Sequence, residues 1–359
     1  MHAMVDGAGM SSGERLDAYS AVSTSLALRS DRALDELVDG AAPLGSGIGG
    51  RSALLKVAGR PVFVKRVPLT ELELRPDNVR STANVFRLPV VCQYGVGGPS
   101  FGAWREAAVH TLTTNWVLSG QYQGFPLMYH WRVLPHAAPA LPEELADVDR
   151  AVAYWGGGRE VRRRIEALAE SPASLVLFLE YIPQTLHEWL NERIRAGDEV
   201  ADRACVLAEN ELEAGTSFMN GRGLIHFDAH FENILTDGRR LYFTDYGLAL
   251  SSRFDLTPAE AEFFERHRTY DRAYTLSYLV NSLITALYTH ERAERVALIR
   301  ACAEGTRLPA GPPEAMRALV RHAPLAAVVT DFYLKLQYES RKTAYPLTAI
   351  RQIFESSYR

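Results

Sequence analysis

Asp228, Asn233 and Asp245 are the residues of this chain whose types and spacing suit them best to chemistry. The first two lie in Gly223-Leu-Ile-His226-Phe-Asp228-Ala-His230-Phe-Glu-Asn233-Ile-Leu235, and the third follows in Tyr242-Phe-Thr-Asp245-Tyr246-Gly247. Two carboxylates and a carboxamide are thus set among apolar, strand-like residues. Phosphoryl transfer makes that demand, because it needs positioning and charge neutralisation more than covalent catalysis. One carboxylate must accept or orient the attacking hydroxyl, while hard oxygen donors hold Mg²⁺ against nucleotide phosphates. Asp228 suits the first task. Asn233 and Asp245 suit the second, since the hairpin signal Asp237-Gly238 folds their two strands side by side. Taken singly, each residue also has an ordinary reading as a capped turn or a satisfied core group. It is the joint spacing that points to chemistry.

That spacing, His-x-Asp-x-x-x-x-Asn followed by Asp-x-Gly, resembles the catalytic and metal-binding loops of the protein-kinase-like superfamily. The form His226-x-Asp228-x-His230-x-x-Asn233 is similar to the loop of aminoglycoside, choline and related small-molecule kinases; Ser/Thr protein kinases usually carry Lys at the place of His230. The resemblance spans roughly residues 40 to 290. It implies an α+β, two-lobed kinase-like fold with a small β-rich N-lobe and a mostly helical C-lobe. It also implies Asp228 as catalytic base, Asn233 and Asp245 as Mg²⁺ ligands, and His226 as a brace for the loop. His230 either contacts a phosphate oxygen or hydrogen-bonds within the loop.

If so, the N-terminal half must supply a phosphate cover and a cation. Gly45-Ser46-Gly47-Ile-Gly49-Gly50 contains Gly-x-Gly-x-x-Gly and leads into a strand, as a kinase glycine-rich loop does, whereas a dinucleotide fold continues into a helix. A plain flexible turn is the alternative. Lys65 follows in the apolar run Val62-Phe-Val64-Lys65-Arg66, where an inward lysine needs an anionic partner. The resemblance supplies the ATP α- and β-phosphates and a helix glutamate. Glu106 is assigned that role, with Glu71 and Glu73 as competitors and helix-dipole compensation as its ordinary reading. The run Leu175 to Pro183 reads as a buried strand that ends in a break. There the resemblance puts Leu179 behind the purine, with backbone groups of Glu180 and Ile182 on its hydrogen-bonding edge. Asp271 either caps the helix it opens or reaches back to the catalytic loop, and capping is the more economical reading.

The elements that must position these residues follow from periodicity and turn residues. A short helix is expected over Leu26 to Val38, a turn-rich segment over Ala41 to Gly50, and a hairpin of strands over Ala53 to Val57 and Val62 to Val67. Residues 68 to 100 read as an irregular insertion before a helix from Gly102 to Leu118. Strands are expected over Pro126 to Leu134 and Ser174 to Ile182, with a helical insertion between them that carries the charged stretch Arg159 to Glu170. Beyond a hinge near Glu180 to Pro183 come helices over Leu186 to Arg195, Asp202 to Asn220, Pro258 to Arg268, Ala273 to Thr289 and a set after Pro313. The short strands Ile234 to Leu235 and Leu241 to Thr244 interrupt them. The expected division is a flexible start over 1–25, an N-lobe over 26–182 and a C-lobe over 183–359.

With 359 residues, 47% of them hydrophobic, the chain is long enough for one large domain or two joined lobes. Its 39 basic and 43 acidic residues leave a formal charge of -4, so no overall positive field points to nucleic acid or an anionic membrane. The cysteines Cys92, Cys205 and Cys302 are odd in number and far apart, which fits neither a disulfide framework nor a Cys-based zinc site. No run approaches the roughly 18 apolar residues of a spanning helix, and a cytoplasmic location is expected. No Ala-Pro-Glu-like ending closes the stretch between Asp245 and Asp271. That favours ATP and a hydroxyl-bearing small molecule as substrates over a protein acceptor; a protein kinase or a catalytically idle kinase-like binder are the other readings. The acidic cluster Asp255, Glu260, Glu262 and Glu265 reads either as a contact for a cationic acceptor or, more economically, as a solvated helix face balanced by Arg253, Arg266 and Arg268.

Overall fold

The computed structural model describes residues 10–47, 50–95, 98–135, 140–306 and 310–356. The protein is α+β and divides into two compact units, one formed by 1–182 with 245–261 and the other by 183–244 with 262–359. The chain first leaves the first unit between Ile182 and Pro183, inside the expected hinge.

The first unit is built on an antiparallel sheet of order β1-β2-β3-β5-β4, from β1 (Ala42–Gly47), β2 (Gly50–Val57), β3 (Arg60–Leu69), β4 (Met128–Pro135) and β5 (Ala173–Glu180). β2 and β3 are joined by Ala58 and Gly59, both with positive φ (47° and 77°), which is what a two-residue hairpin turn requires. Period-two alternation sends Phe63, Lys65, Val67 and Leu69 to one face of β3. On that face Phe63, Val67 and Leu69 pack with Leu175, Leu177 and Leu179 of β5 and with Ala103, Trp104 and Ala107 of helix α4 (Ala103–Leu118). Lys65 therefore points toward α4. Arg66, on the opposite face, pairs with Asp35 and Asp39.

The flexible start expected over residues 1–25 is corrected from Ser11 onward. Helix α1 (Ser12–Ala27) opens with a Ser11/Glu14 capping box and buries Arg15, Ala18, Val22 and Leu26 along one stripe. Helix α2 (Asp31–Asp39) is separate, because Ser30 caps a new start where one helix was expected over Leu26 to Val38. The segment read as turn-rich is strand β1, since backbone pairing with β2 overrides the weak strand propensity of Gly and Ser. The two insertions fold as α3 (Glu71–Leu74), α5 (Glu143–Ala146), α6 (Val148–Tyr154) and α7 (Arg159–Ala169). They share a core of Phe86, Leu88, Phe101, Val152, Trp155 and Ile165.

The second unit is mostly helical, with α8 (Leu186–Arg195), α9 (Asp198–Gly221), α11 (Tyr270–Leu287), α12 (Arg292–Ala303), α13 (Pro313–Tyr338) and α14 (Leu347–Ser356). The chain enters it through β6 (Gln184–Thr185) and returns to it along α10 (Pro258–Arg266). After β7 (Leu224–Ile225), β8 (Ile234–Thr236) and β9 (Leu241–Phe243) form the expected hairpin, and β6 pairs with β8. Gly215 of α9 is what lets β9 lie against that helix: a Cβ there would stand 2.1 Å from the Phe243 ring. Among the described residues no helix is long and apolar enough to cross a membrane.

Candidate active site

In the first unit the Lys65 ammonium lies 2.7 Å from Glu106 Oε1 and 2.9 Å from Asp245 Oδ1. Of the three carboxylates weighed as its helix partner, Glu106 is the one that meets it. Glu71 is exposed, and buried Glu73 is engaged elsewhere. Burial opposes the charge on Lys65, but Asp245 and Glu106 outweigh it and hold its pKa above the ordinary lysine value. Burial raises Glu106 to about 6, against the pull of Lys65. Asp245 keeps 36% of its side chain exposed and takes a positive φ of 61°, uncommon for a residue other than glycine. Tyr246, next in the chain, is fully buried against the His110 ring and the Thr113 hydroxyl, and burial raises its pKa. Glu106, His110 and Thr113 thus form one helical stripe on α4 facing the Asp245-Tyr246 segment.

Helix α4 is held at its start by Glu73, weighed from the sequence as a partner of Lys65, and by Trp104 and Arg164, which sequence reasoning did not single out. Glu73 Oε1 accepts the Ala103 N–H at 3.0 Å, Trp104 Nε1 donates to the Glu73 carbonyl at 2.9 Å, and Arg164 of α7 donates to Glu73 Oε2 at 2.8 Å. Gly102 permits this, with a φ of 128° and no Cβ to collide with Glu73 Oε1, which would stand 2.6 Å away. Beside Glu106, buried Arg105 donates to the Thr82 carbonyl and, at 2.7 Å, to Glu260 Oε1. This corrects the acidic-cluster reading for Glu260, which is a buried ion-pair partner. Glu262 and Glu265 do lie on an exposed face, paired with Arg266 and Arg268.

The glycine motif occupies the β1–β2 hairpin. Gly45, Ser46 and Gly47 lie on β1, Gly47 faces Gly50 at the start of β2, and Ile48 and Gly49 lie outside the described residues. Leu179 is buried on the α4 side of the sheet. The Glu180 N–H donates to the Leu127 carbonyl at 2.8 Å and is used within the sheet. Ile182 is buried at the end of the unit's first stretch.

In the second unit the loop from His226 to Asn233 is fixed mainly by its own backbone. His226 is buried, its Nδ1 accepts the Asp228 N–H at 3.3 Å, and its Nε2 lies 2.8 Å from the Thr244 carbonyl; the ring proton is therefore on Nε2. Asn233 donates its amide to the Asp228 carbonyl at 3.0 Å and to Asp228 Oδ2 at 3.1 Å. That orients the carboxylate and turns the amide nitrogen, rather than the amide oxygen, toward it. His230 Nδ1 accepts the Glu232 N–H at 3.2 Å, and its Nε2 stands 3.9 Å from Asp228 Oδ1.

Asp271 also corrects the sequence reading. Its carboxylate does not cap α11 but accepts the N–H groups of His226 at 2.6 Å and Phe227 at 2.9 Å. Phe227 has a φ of 63°, a strained conformation for a bulky residue, and its ring packs on Phe263, His267 and Tyr270. Two adjacent N–H groups can face one carboxylate because the chain turns sharply there. Burial raises Asp271 to about 7, with both hydrogen bonds opposing the rise.

The structure thus brings Lys65, Glu106 and Asp245 together in one unit, and Asp228, His230 and Asn233 together in the other, so the two expected metal ligands belong to different units. Among the described residues no group of three His, Cys, Asp or Glu side chains could hold a metal by itself. Each of the two residues offers a hard oxygen donor, a carboxylate oxygen on Asp245 and an amide oxygen on Asn233, of the kind Mg²⁺ takes. No protein-family model matches the chain, and no curated protein matches it.

Proposed function

We propose that the protein is an ATP- and Mg²⁺-dependent phosphotransferase of protein-kinase-like fold that phosphorylates a hydroxyl of a small molecule. The observation that carries this reading is the buried Lys65 ammonium held between Glu106 and Asp245. A lysine fixed on a strand by a helix carboxylate offers its remaining N–H to phosphate oxygen, and a partly exposed Asp beside it offers oxygen to a hard cation. Mg²⁺ would supply charge neutralisation on the phosphates, with Asp245 and Asn233 as its protein ligands. Asp228, oriented by the Asn233 amide, takes up the proton of the acceptor hydroxyl. His230, whose Nε2 stands 3.9 Å from Asp228 Oδ1, steadies that carboxylate or meets a phosphate oxygen. His226 and Asp271 hold the loop that carries both.

Incubation with ATP, Mg²⁺ and a panel of hydroxyl-bearing metabolites and antibiotics, with mass detection of an added phosphoryl group, tests the reading. Asp228→Asn should then lower turnover by about two to four orders of magnitude, the loss expected of a general base, and leave nucleotide affinity nearly unchanged. Label found on protein instead would make it a protein kinase. Nucleotide binding with no transfer to any acceptor would make it an idle binder.

A further inference from the structure

Arg15, near the start of α1, is a nearly fully buried arginine whose nitrogens are all engaged. Nε donates to Glu180 Oε1 at 2.9 Å and Nη2 to Glu180 Oε2 at 2.6 Å. Nη2 also donates to the Phe125 carbonyl at 2.6 Å, and Nη1 to the carbonyl and the side-chain oxygen of Gln123 at 3.0 and 2.9 Å. Glu180 Oε2 takes a further bond from the Leu127 N–H at 3.0 Å. One guanidinium therefore ties α1 and the approach to β4 to the last residue of β5. The planar fork admits one orientation of the carboxylate, and the side chains of the pair are only 1% and 2% exposed.

The position of this pair is informative. A buried ion pair adds little net stability compared with apolar packing, so what it contributes is geometry. Strand ends fray first, yet here the end of β5 is anchored from a helix that is remote in sequence. The residues just beyond are those expected along the purine edge, ending at Ile182. We infer that Arg15 is a positioning residue for nucleotide binding: through Glu180 it sets the backbone of 180–182 against which the base docks, which makes α1 part of the nucleotide site. This rests on the ATP-binding reading above.

The test separates base from phosphate. A fluorescent ATP analogue bound to the full chain is displaced by adenosine, which has a base and no phosphate, and by inorganic tripolyphosphate, which has the reverse. Arg15→Met should weaken adenosine displacement by about tenfold, the worth of one well-aligned hydrogen bond, and leave tripolyphosphate unchanged. Arg15→Lys keeps the charge but loses the fork, so it should shift adenosine in the same direction by a smaller factor; it also serves if the Met variant does not fold. An unchanged adenosine constant in a folded variant overturns the inference, as does equal weakening of both ligands, which marks a general structural role. A wild-type chain that binds no ATP analogue overturns the nucleotide reading itself.

Discussion

Asp271→Asn separates what the buried carboxylate does for the loop from what it costs the fold. The carboxyl is raised from an ordinary 3.8 to about 7, so between those values the folded chain binds a proton that the unfolded chain has released. Stability from this group is therefore present in acid and lost as pH rises through the folded pKa. Integrated between about pH 5 and about pH 8, the loss is about 3 kcal/mol. Asn resembles the neutral acid: it can accept only one of the two N–H groups of His226 and Phe227, forfeiting about 1–3 kcal/mol for the other, but it does not ionise. The stability difference between variant and wild type should therefore move by about 3 kcal/mol in favour of Asn as pH rises over that range, with all other titrations cancelling. Urea unfolding of both proteins at several pH values measures it. A difference independent of pH would refute the argument. A carboxyl depressed by its two hydrogen bonds would leave the difference flat over that range and move it only below about pH 4, in favour of the wild type as pH rises.

Lys65→Met leaves Glu106 buried without its cation and should cost about 3–5 kcal/mol of stability. The cost should be smallest below about pH 6, where Glu106 carries a proton in both proteins, and grow as pH rises above it; urea unfolding at two pH values checks both size and sign. Arg105→Met should destabilise by a similar about 3–5 kcal/mol by stranding Glu260, and Arg105→Met/Glu260→Met should recover most of it; a double variant no better than the single one would show that the pair is not the unit that matters. Asp245→Asn, at a partly exposed position, should change stability by no more than about 1 kcal/mol while weakening the Mg²⁺ dependence of ATP binding. An unchanged Mg²⁺ titration would remove Asp245 from the metal site.

What could be read from the sequence follows the range of the interactions involved. The β3 strand carrying Lys65, the helix Leu186–Arg195 and the hairpin around Asp237-Gly238 were legible because each is set by local periodicity or turn chemistry. Helix α1 was not, since its buried stripe begins with Arg15, which reads as a surface residue until its partner is known. That partner lies 165 residues away. Asp271 failed for the same reason in the opposite direction: a carboxylate at a helix start satisfies the local capping rule, while its actual acceptor role is to N–H groups at sequence separations of 45 and 44. Helix α12 had no strong pattern and was missed among the expected C-terminal set.

The two kinds of failure share a cause that bears on the site itself. Hydrophobic periodicity says which face of an element is buried, but a buried charge is stable only beside one particular counter-charge, and nothing local specifies which. Glu71, Glu73 and Glu106 were equivalent in kind; tertiary structure separates them by giving Glu73 to Arg164 and the α4 N-terminus, Glu106 to Lys65, and Glu71 to solvent. The first of those pairings helps to secure the second. Glu73 holds the first turn of α4, and a helix held there carries Glu106, one turn further on, in register with Lys65. The two segments read as insertions, which carry Glu73 and Arg164, are therefore part of what keeps the pair together.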